Sequence, residues 1–258
     1  MSPSTIIGIL LALGALYAMI TMEGAHVEAL LLPAPMILVF GATIAVAIAS
    51  GTIGDAKRAL FALPKAFVGK VNPPAQTIEA IVGYAERARR DGLLALEQEA
   101  AEVDDPLIKN ALQNIADGTD AEELRIILED TVDSRIQEEK KGGKFFMLMA
   151  GYAPTIGIVG TVVSLTHVLE NLDKPDELGH MIAAAFVATL WGLLSANFFW
   201  APIGGKLSRL AELEEQRLAV VIEGMLAVQA GSQPRVLGER LRAMLPPSAL
   251  PKQQGEAA

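Results

Sequence analysis

Four long stretches that contain no Asp, Glu, Lys or Arg constrain this chain more than any other feature. The stretches are residues 1–22, 29–54, 145–169 and 178–205. Because a hydrocarbon core about 30 Å thick is crossed by roughly 20 apolar residues of α-helix, each stretch is long enough to span a membrane. The pattern predicts transmembrane helices over about residues 4–22, 31–51, 146–169 and 180–203.

The remaining residues are too charged to lie inside lipid. The 258-residue chain is 52% hydrophobic and 20% charged, a balance typical of a protein with a membrane part and a water-facing part. We therefore predict an all-α integral membrane protein with four transmembrane helices, a helical cytoplasmic domain between spans two and three, and cytoplasmic extensions of spans three and four. A cleaved signal peptide is the alternative for the first stretch, but no Lys or Arg precedes it and it is long for such a peptide.

The positions of Lys and Arg predict the orientation of these spans. Of the 21 basic residues, thirteen lie in residues 51–144 and seven lie after residue 205, whereas the links 23–30 and 170–179 contain only Lys174. Basic residues are enriched in cytoplasmic loops. Both termini and the central segment are therefore expected in the cytoplasm, and the two short links outside.

The order of apolar, basic and turn-forming segments predicts five regions. They are a transmembrane hairpin over 1–54, an amphipathic interface helix and cytoplasmic domain over 55–144, a second transmembrane hairpin over 145–204, a C-terminal helix over 205–245 and a disordered tail over 246–258. Residues 55–71 combine apolar and basic side chains in a way that suits the inner membrane surface. Helical patterns follow at about 76–90, 92–102, 106–116 and 121–141.

The predicted spans contain hydroxyls but no ionisable groups. Small residues at four-residue spacing, such as those from Ala184 to Ala196, are typical of close helix contacts within or between subunits. Thr161 and Thr189 lie mid-span on such faces, where a hydroxyl either lines an ion path or bonds to a backbone carbonyl one turn back. Transport of protons or cations generally requires an ionisable group. If ions pass here, another chain supplies the carboxylate.

Two prolines occupy the cytoplasmic halves of the last two predicted spans. Pro154 and Pro202 each remove one backbone hydrogen bond, and a proline inside a helix kinks it at a cost of about 3 kcal/mol. The pair predicts a hinge that transmits motion from the membrane to the cytoplasmic domain.

Charges of alternating sign cluster between residues 86 and 99. Arg89 and Arg90 end one predicted helix, and Glu97 and Glu99 begin the next. A solvated helical hairpin with weak surface ion pairs explains the cluster, and so does a docking surface for a charged partner.

Motifs for several other functions are absent from the sequence. It has no cysteine, no GxxxxGK[ST] phosphate loop, no HExxH and no His pair with metal-ligand spacing, so we expect neither an enzyme nor a resident cofactor. The net charge of −9 disfavours nucleic acid as a partner.

Two groups of motifs resemble the MotA/PomA family of flagellar stator subunits. The first comprises the run from Gly151 to Thr161, the run from Ala185 to Gly192, and Pro202. The second comprises the run from Glu86 to Glu97, Val103-Asp-Asp-Pro106 and Asp117-Gly-Thr-Asp120. The resemblance extends from about residue 4 to residue 230 and includes the family's arrangement of two spans, a long cytoplasmic stretch and two further spans.

The resemblance implies an ion-driven machine in the bacterial inner membrane. In this family several copies, understood as a pentamer, surround a dimeric MotB/PomB-type partner, whose single span carries the aspartate that this chain lacks. Inward flow of protons or sodium ions then drives the rotor protein FliG; the sequence leaves the choice of ion open. The resemblance assigns roles to eight residues: Thr161 and Thr189 in the ion path, Pro154 and Pro202 in conformational coupling, and Arg89, Glu97, Arg90 and Glu99 at the rotor.

Other membrane proteins share parts of this pattern. ExbB/TolQ proteins also use ion flow and have similar last spans, but they typically have three spans and an outside N-terminus. A non-flagellar rotary motor subunit of the same architecture is a second alternative. A passive membrane scaffold is the third, although a scaffold requires neither paired prolines nor mid-span threonines.

Overall fold

The computed structural model describes residues 4–246, and these residues form helices and turns without a β-strand. The all-α prediction is therefore confirmed for this part of the chain. The described residues form two compact units: an apolar unit of residues 4–70 and 139–209, and a charged unit of residues 71–138 and 210–246. The predicted disordered tail, apart from Pro246, lies outside the described residues.

Within the described residues, three helices are long and apolar enough to cross a membrane. They are α1 (Ser4–Met22), α7 (Ala121–Glu170) and α8 (Pro175–Gln229). The second predicted span forms a shorter apolar helix, α2 (Pro33–Ala49), which is two residues shorter at each end than the predicted 31–51. Pro33 starts the helix because its missing N–H is not needed in the first turn. At the other end, the Ser50 hydroxyl donates back to the Val46 carbonyl (2.8 Å).

Helix α3 (Ile53–Val68) follows α2 after a short turn and begins with a reciprocal capping box. The Asp55 N–H donates to the Thr52 hydroxyl (3.1 Å), and the Thr52 N–H donates to the Asp55 carboxylate (3.0 Å). The Thr52 hydroxyl and N–H together hold the pKa of Asp55 below its usual range. The box fixes the direction in which α3 leaves the apolar helices.

The core of the apolar unit joins α2 and α3 to α7 and α8 through alanine, aromatic and larger aliphatic side chains. Its buried members are Ala47, Ala59, Ala66, Phe145, Phe146, Met149, Ile203 and Leu207. The approach of α3 to α7 is close: a Cβ added to Gly142 would lie 3.0 Å from Ala62 Cβ. The rings of Phe146 and Trp200 stack with their centroids 6.3 Å apart.

The charged unit folds around large aliphatic side chains. It contains α4 (Pro74–Asp91), α5 (Leu96–Glu102), α6 (Pro106–Ala116) and α9 (Pro234–Ala243), together with the first part of α7 and the last part of α8. Its largest fully buried side chains are Ile78, Ile81, Leu96, Leu112, Ile115, Leu124, Leu128, Leu218, Met225, Leu237 and Leu241. The helical patterns predicted between residues 76 and 141 are confirmed; the second of them begins with a short 3-10 turn over Leu93–Ala95.

The C-terminal region differs from the single helix predicted over 205–245. Helix α8 ends at Gln229, and α9 begins only at Pro234. Between them Gly231 has a φ of +69°, a conformation that glycine adopts without a steric penalty. The resulting turn brings Leu237 and Leu241 of α9 into the core of the charged unit.

Candidate ion-path and rotor-contact sites

Glycines bring α7 and α8 into backbone contact in the apolar unit. A Cβ added to Gly157 would lie 2.9 Å from the Ala188 carbonyl oxygen and 3.1 Å from Gly192 Cα. A Cβ added to Gly192 would lie 2.8 Å from the Ala153 carbonyl oxygen. Real side chains do not tolerate contacts below 3.0 Å to backbone atoms, so glycine is required at both positions. The small-residue pattern in the sequence therefore marks a contact within the chain.

A second glycine contact joins the same two helices further along. A Cβ added to Gly204 would lie 3.0 Å from the Gly143 carbonyl oxygen, and one added to Gly143 would lie 2.7 Å from the Ser208 hydroxyl oxygen. The antiparallel helices α7 and α8 thus approach closely at two levels.

Thr161 and Thr189 face each other across the first glycine contact, and their hydroxyl groups are hydrogen-bonded to each other. The Thr161 oxygen also lies 3.1 Å from the Gly157 carbonyl oxygen, one turn back, and 3.0 Å from the Ala185 carbonyl oxygen on α8. A hydroxyl has a single proton, so Thr161 donates to only one of these partners at a time. When Thr161 donates to a carbonyl, Thr189 is the donor within the pair.

The carbonyl bond one turn back is therefore present at Thr161, within one half-buried cluster of oxygen atoms. Hydroxyl and carbonyl oxygens suit a hard cation or a water molecule, but none of them is charged. Residues 145–169 and 178–205 contain no Asp, Glu, Lys or Arg. Within the described part of the chain, no group of three or more acidic or histidine side chains could hold a metal ion. A cation at the threonines requires a carboxylate from another chain.

Both predicted hinge prolines lie inside long helices. Pro154 lies within α7, and Pro202 lies in α8 two residues after the π-helical segment Ser195–Trp200. Since proline lacks an N–H and its ring crowds the carbonyl four residues earlier, regular α-helical bonding is interrupted at Pro202. The wider π-helical turn lies where this crowding occurs. Pro202 also borders a cavity of about 440 Å³ that is lined by α1 and by Asn197 and Lys206 of α8.

In the charged unit, the α4–α5 hairpin carries the predicted rotor-contact residues. Gly92, with a φ of +84°, allows the sharp turn between the helices. Arg89 and Glu97 are exposed, and neither side chain has a hydrogen bond or ion pair with any described residue. Their neighbours Ala88 and Leu96 point into the core. The Arg89 and Glu97 side chains are therefore available to a charged partner.

Arg90 and Glu99 differ from that pair because each has a partner within the hairpin. Arg90 donates to Asp91 at 3.1 Å, and this hydrogen bond lowers the pKa of Asp91. Glu99 forms an ion pair with Arg87 at 3.0 Å. A rotor contact through Glu99 thus requires that Arg87 be shared or displaced.

The charged unit also contains a buried charge network that the sequence did not reveal. Arg217 of α8, which is 3% exposed, donates to Glu214 (2.8 and 2.9 Å) and to Asp105 (2.7 Å). Arg135 of α7 donates to the same Glu214 at 2.8 Å. Burial alone would lower the pKa of Arg217, but the bonds with the two carboxylates outweigh it and raise that pKa. The partners are 79 and 112 residues apart in sequence, so no local pattern reveals the network.

Long apolar helices that meet through glycines are typical of a membrane-embedded protein. Comparison with known proteins agrees: residues 6–91 match the N-terminal region of motility protein A, and residues 99–219 match the MotA/TolQ/ExbB proton channel family. Motility protein A of Bacillus subtilis (strain 168) is 36% identical over 264 residues, which cover 100% of this chain and 96% of the relative. The chain belongs to the motility protein A group of the MotA/TolQ/ExbB proton channel family.

Solved structures of this group share the fold. A chain in the flagellar MotAB stator complex from Bacillus subtilis has 34% sequence identity and a TM-score of 0.86, with 95% of this chain and 97% of that chain covered. A chain of C. jejuni MotAB has 28% identity and a TM-score of 0.91, with 96% and 97% covered. The match over residues 6–91 favours motility protein A over the ExbB/TolQ alternative.

Proposed function

We propose that this chain is a non-catalytic stator subunit of a flagellar motor, which couples inward flow of protons or sodium ions to torque on the rotor. The observation that carries the proposal is the oxygen cluster at Thr161 and Thr189. The cluster can accommodate a partly dehydrated cation or a water molecule but has no charge to attract it. A MotB-type partner, with one span, supplies the missing aspartate at this level.

In this proposal the chain crosses the bacterial inner membrane four times, and both termini are cytoplasmic. Helix α2 is the shortest span, and its 17 residues are close to the lower limit of about 17 for a transmembrane helix. Exposed apolar side chains such as Leu10 and Leu11 on α1 are suited to lipid. Reporter fusions at Gly118 and at the C-terminus should read as cytoplasmic and one at Val27 as periplasmic. A periplasmic signal from Gly118 would contradict this topology.

Helix α3 lies on the inner membrane surface, with membrane lipid as its direct partner. Its buried face, which includes Ala59 and Ala66, packs into the apolar unit, whereas Leu60 and Phe61 are strongly exposed. Lys57 is exposed one turn before Phe61. Exposed apolar side chains beside a lysine suit the headgroup region of an anionic bilayer.

Several copies of the chain assemble as a pentamer around the partner dimer. Helix α7 supports this arrangement, because Ile158, Val159, Val162 and Val163 are more than half exposed within one chain. These side chains lie next to Thr161 in sequence. Neighbouring copies and the partner's span cover them, which encloses the ion path.

The α4–α5 hairpin transmits the force from the complex to the rotor. Pro154 and Pro202 allow α7 and α8 to bend when an ion binds and leaves, and both helices continue into the charged unit. The free charges of Arg89 and Glu97 act on complementary charges of the rotor protein FliG. The paired side chains of Arg90 and Glu99 contribute less to this contact.

Ion flux in proteoliposomes tests the coupling. This chain alone should leave liposomes as tight as empty ones, whereas the complex with a MotB-type partner should conduct. Replacement of the partner's aspartate by asparagine should abolish the current. Thr161→Ala should reduce the current. Thr166→Ala on the same helix is the matched control, since among the described residues its exposed hydroxyl bonds only to the Val162 carbonyl (2.9 Å). A steady leak through this chain alone would overturn the proposal.

A further inference from the structure

We propose that Arg217 is a positioning residue for torque: it fixes the start of α6, and through α6 the charged α4–α5 hairpin, against the cytoplasmic part of α8. This inference rests on the proposed function. It assigns a role in force output to a buried side chain that touches neither the ion path nor the exposed hairpin charges.

The Asp105 carboxylate connects the hairpin to Arg217. One of its oxygens accepts the Leu107 N–H at 3.0 Å and so caps the first turn of α6, while the other accepts Arg217 Nη2 at 2.7 Å. Helix α6 packs in one core with α5, through Leu107 and Ala111 on α6 and Leu96 on α5. Glu97 is the next residue after Leu96, so the position of α6 determines where Glu97 is presented.

The other side of the network belongs to α7 and α8. The Arg217 Nε and Nη2 atoms both donate to Glu214, which gives the guanidinium a fixed plane. Glu214 also accepts Arg135 Nη2 from α7 at 2.8 Å. Arg217 therefore bonds simultaneously to Glu214 on its own helix and to Asp105, the cap of α6. Arg135 of α7 bonds to the same Glu214 carboxylate.

Stability alone does not account for this arrangement. A buried ion network rarely stabilises a fold more than apolar side chains of similar volume do, because each charge loses its hydration. Charged hydrogen bonds are directional, so they permit one relative placement of the groups. Apolar side chains, in contrast, can slide past one another. A stator must pass force between helices without slippage, and this is the property that the network adds.

Two variants test the role in the complete stator complex in cells. Arg217→Lys keeps the charge but cannot bond to both carboxylates with a planar fork. The neutral triple variant Asp105→Asn, Glu214→Gln, Arg217→Met removes the network without leaving an unpaired buried charge, and asparagine retains the helix cap. Arg240→Lys is the matched control, since Arg240 bonds to Glu223 at 2.8 Å in the same unit but is 61% exposed.

We expect both variants to assemble with the MotB-type partner and to conduct ions like the wild type, but to lose stall torque, while Arg240→Lys retains it. Unchanged stall torque in the assembled variants would overturn the positioning role. Failure of both variants to assemble would also overturn it, because the network would then serve folding only. Absence of conduction or rotation in the wild-type complex would instead refute the proposed function, so the two failures are distinguishable.

Discussion

The two units of this chain hold their helices together by different means. In the apolar unit, α7 and α8 meet through glycines, and the added Cβ distances at Gly157 and Gly192 leave no room for a side chain. In the charged unit, large side chains such as Leu112 and Met225 are fully buried. Apolar burial in water contributes about 25 cal/mol per Å². Lipid offers an apolar side chain no such gain, so close backbone packing provides the association.

This difference shows that the surrounding solvent determines which residues stabilise a helix contact. Helices α7 and α8 are part of both units, yet glycines bring their backbones into contact in the apolar unit, whereas large aliphatic side chains fill the core of the charged unit. The charged unit should therefore be most sensitive to the loss of a large side chain, and the apolar unit to the addition of a methyl group at a glycine.

The largest loss of stability is expected from a cavity in the charged unit. Leu112→Ala should lower the free energy of unfolding by about 2–5 kcal/mol, because Leu112 is completely buried in the aliphatic core. Thermal unfolding of the purified complex measures the effect. Leu94→Ala is the control, since Leu94 is 70% exposed. Equal melting temperatures for the two variants would contradict the stabilising role of the buried aliphatic core in the charged unit.

A single added methyl group should destabilise the apolar unit. Gly192→Ala places a Cβ 2.8 Å from the Ala153 carbonyl oxygen, and we expect a loss of about 1–3 kcal/mol because overpacking separates the helices. The yield and melting temperature of the detergent-solubilised complex measure this loss of stability. Gly205→Ala on the same helix meets nothing within 4 Å and should have little effect. If both variants behave alike, close glycine packing is not what joins α7 to α8.

Removal of the Thr161 hydroxyl should affect conduction more than stability. Valine has the same shape, and the carbonyls that Thr161 contacts belong to helices, so Thr161→Val should cost at most about 1.5 kcal/mol. Ion flux through the assembled complex should nevertheless fall, since the cluster loses one of its oxygen atoms. Flux that remains at the wild-type level would exclude Thr161 from the ion path.

Charge reversal on the hairpin should have the smallest effect on folding. Arg89→Glu should change the free energy of unfolding by no more than about 0.5 kcal/mol, because Arg89 is exposed and unpaired within the described residues. Swimming should be impaired, and a reversed charge on the rotor should partly restore it. Raised ionic strength should weaken the remaining contact, since screening acts over about 8 Å at physiological salt.

The control for this variant is Arg235→Glu in the same unit. Arg235 is strongly exposed on α9 and pairs only with Glu239, four residues away (3.3 Å). It should leave both stability and swimming unchanged. Loss of the assembled complex in Arg89→Glu alone would make Arg89 a structural residue.

The sequence predicted the features that depend on local composition. Helix α1 spans Ser4–Met22 as predicted because the absence of charge and the length of a stretch are local properties. The α4–α5 hairpin followed from helical spacing on both sides of Gly92. Alternating charges could not show that Glu99 is paired and Glu97 is free, because the difference depends on the fold of the hairpin around Arg87.

Features that depend on distant contacts could not be predicted in this way. The Asp105–Arg217 pair requires two segments 112 residues apart to meet. The break at Gly231 depends on the core that receives Leu237, and a helical pattern continues on both sides of it. The Thr161–Thr189 pair was predicted only as two separate hydroxyls, since their meeting depends on how closely α7 and α8 approach.

The π-helical segment Ser195–Trp200 determines the direction in which the residues on its two sides face around the axis of α8. Gly192 and Gly204 lie twelve residues apart and both face α7, whereas an α-helix, which turns by about 100° per residue, would place them about 120° apart. One extra residue accommodated in a π-turn reduces the difference to about 20°. Deletion of Asn197 should therefore restore a regular helix in which both glycines still face α7. Insertion of a residue there should rotate one of the glycine contacts away from α7.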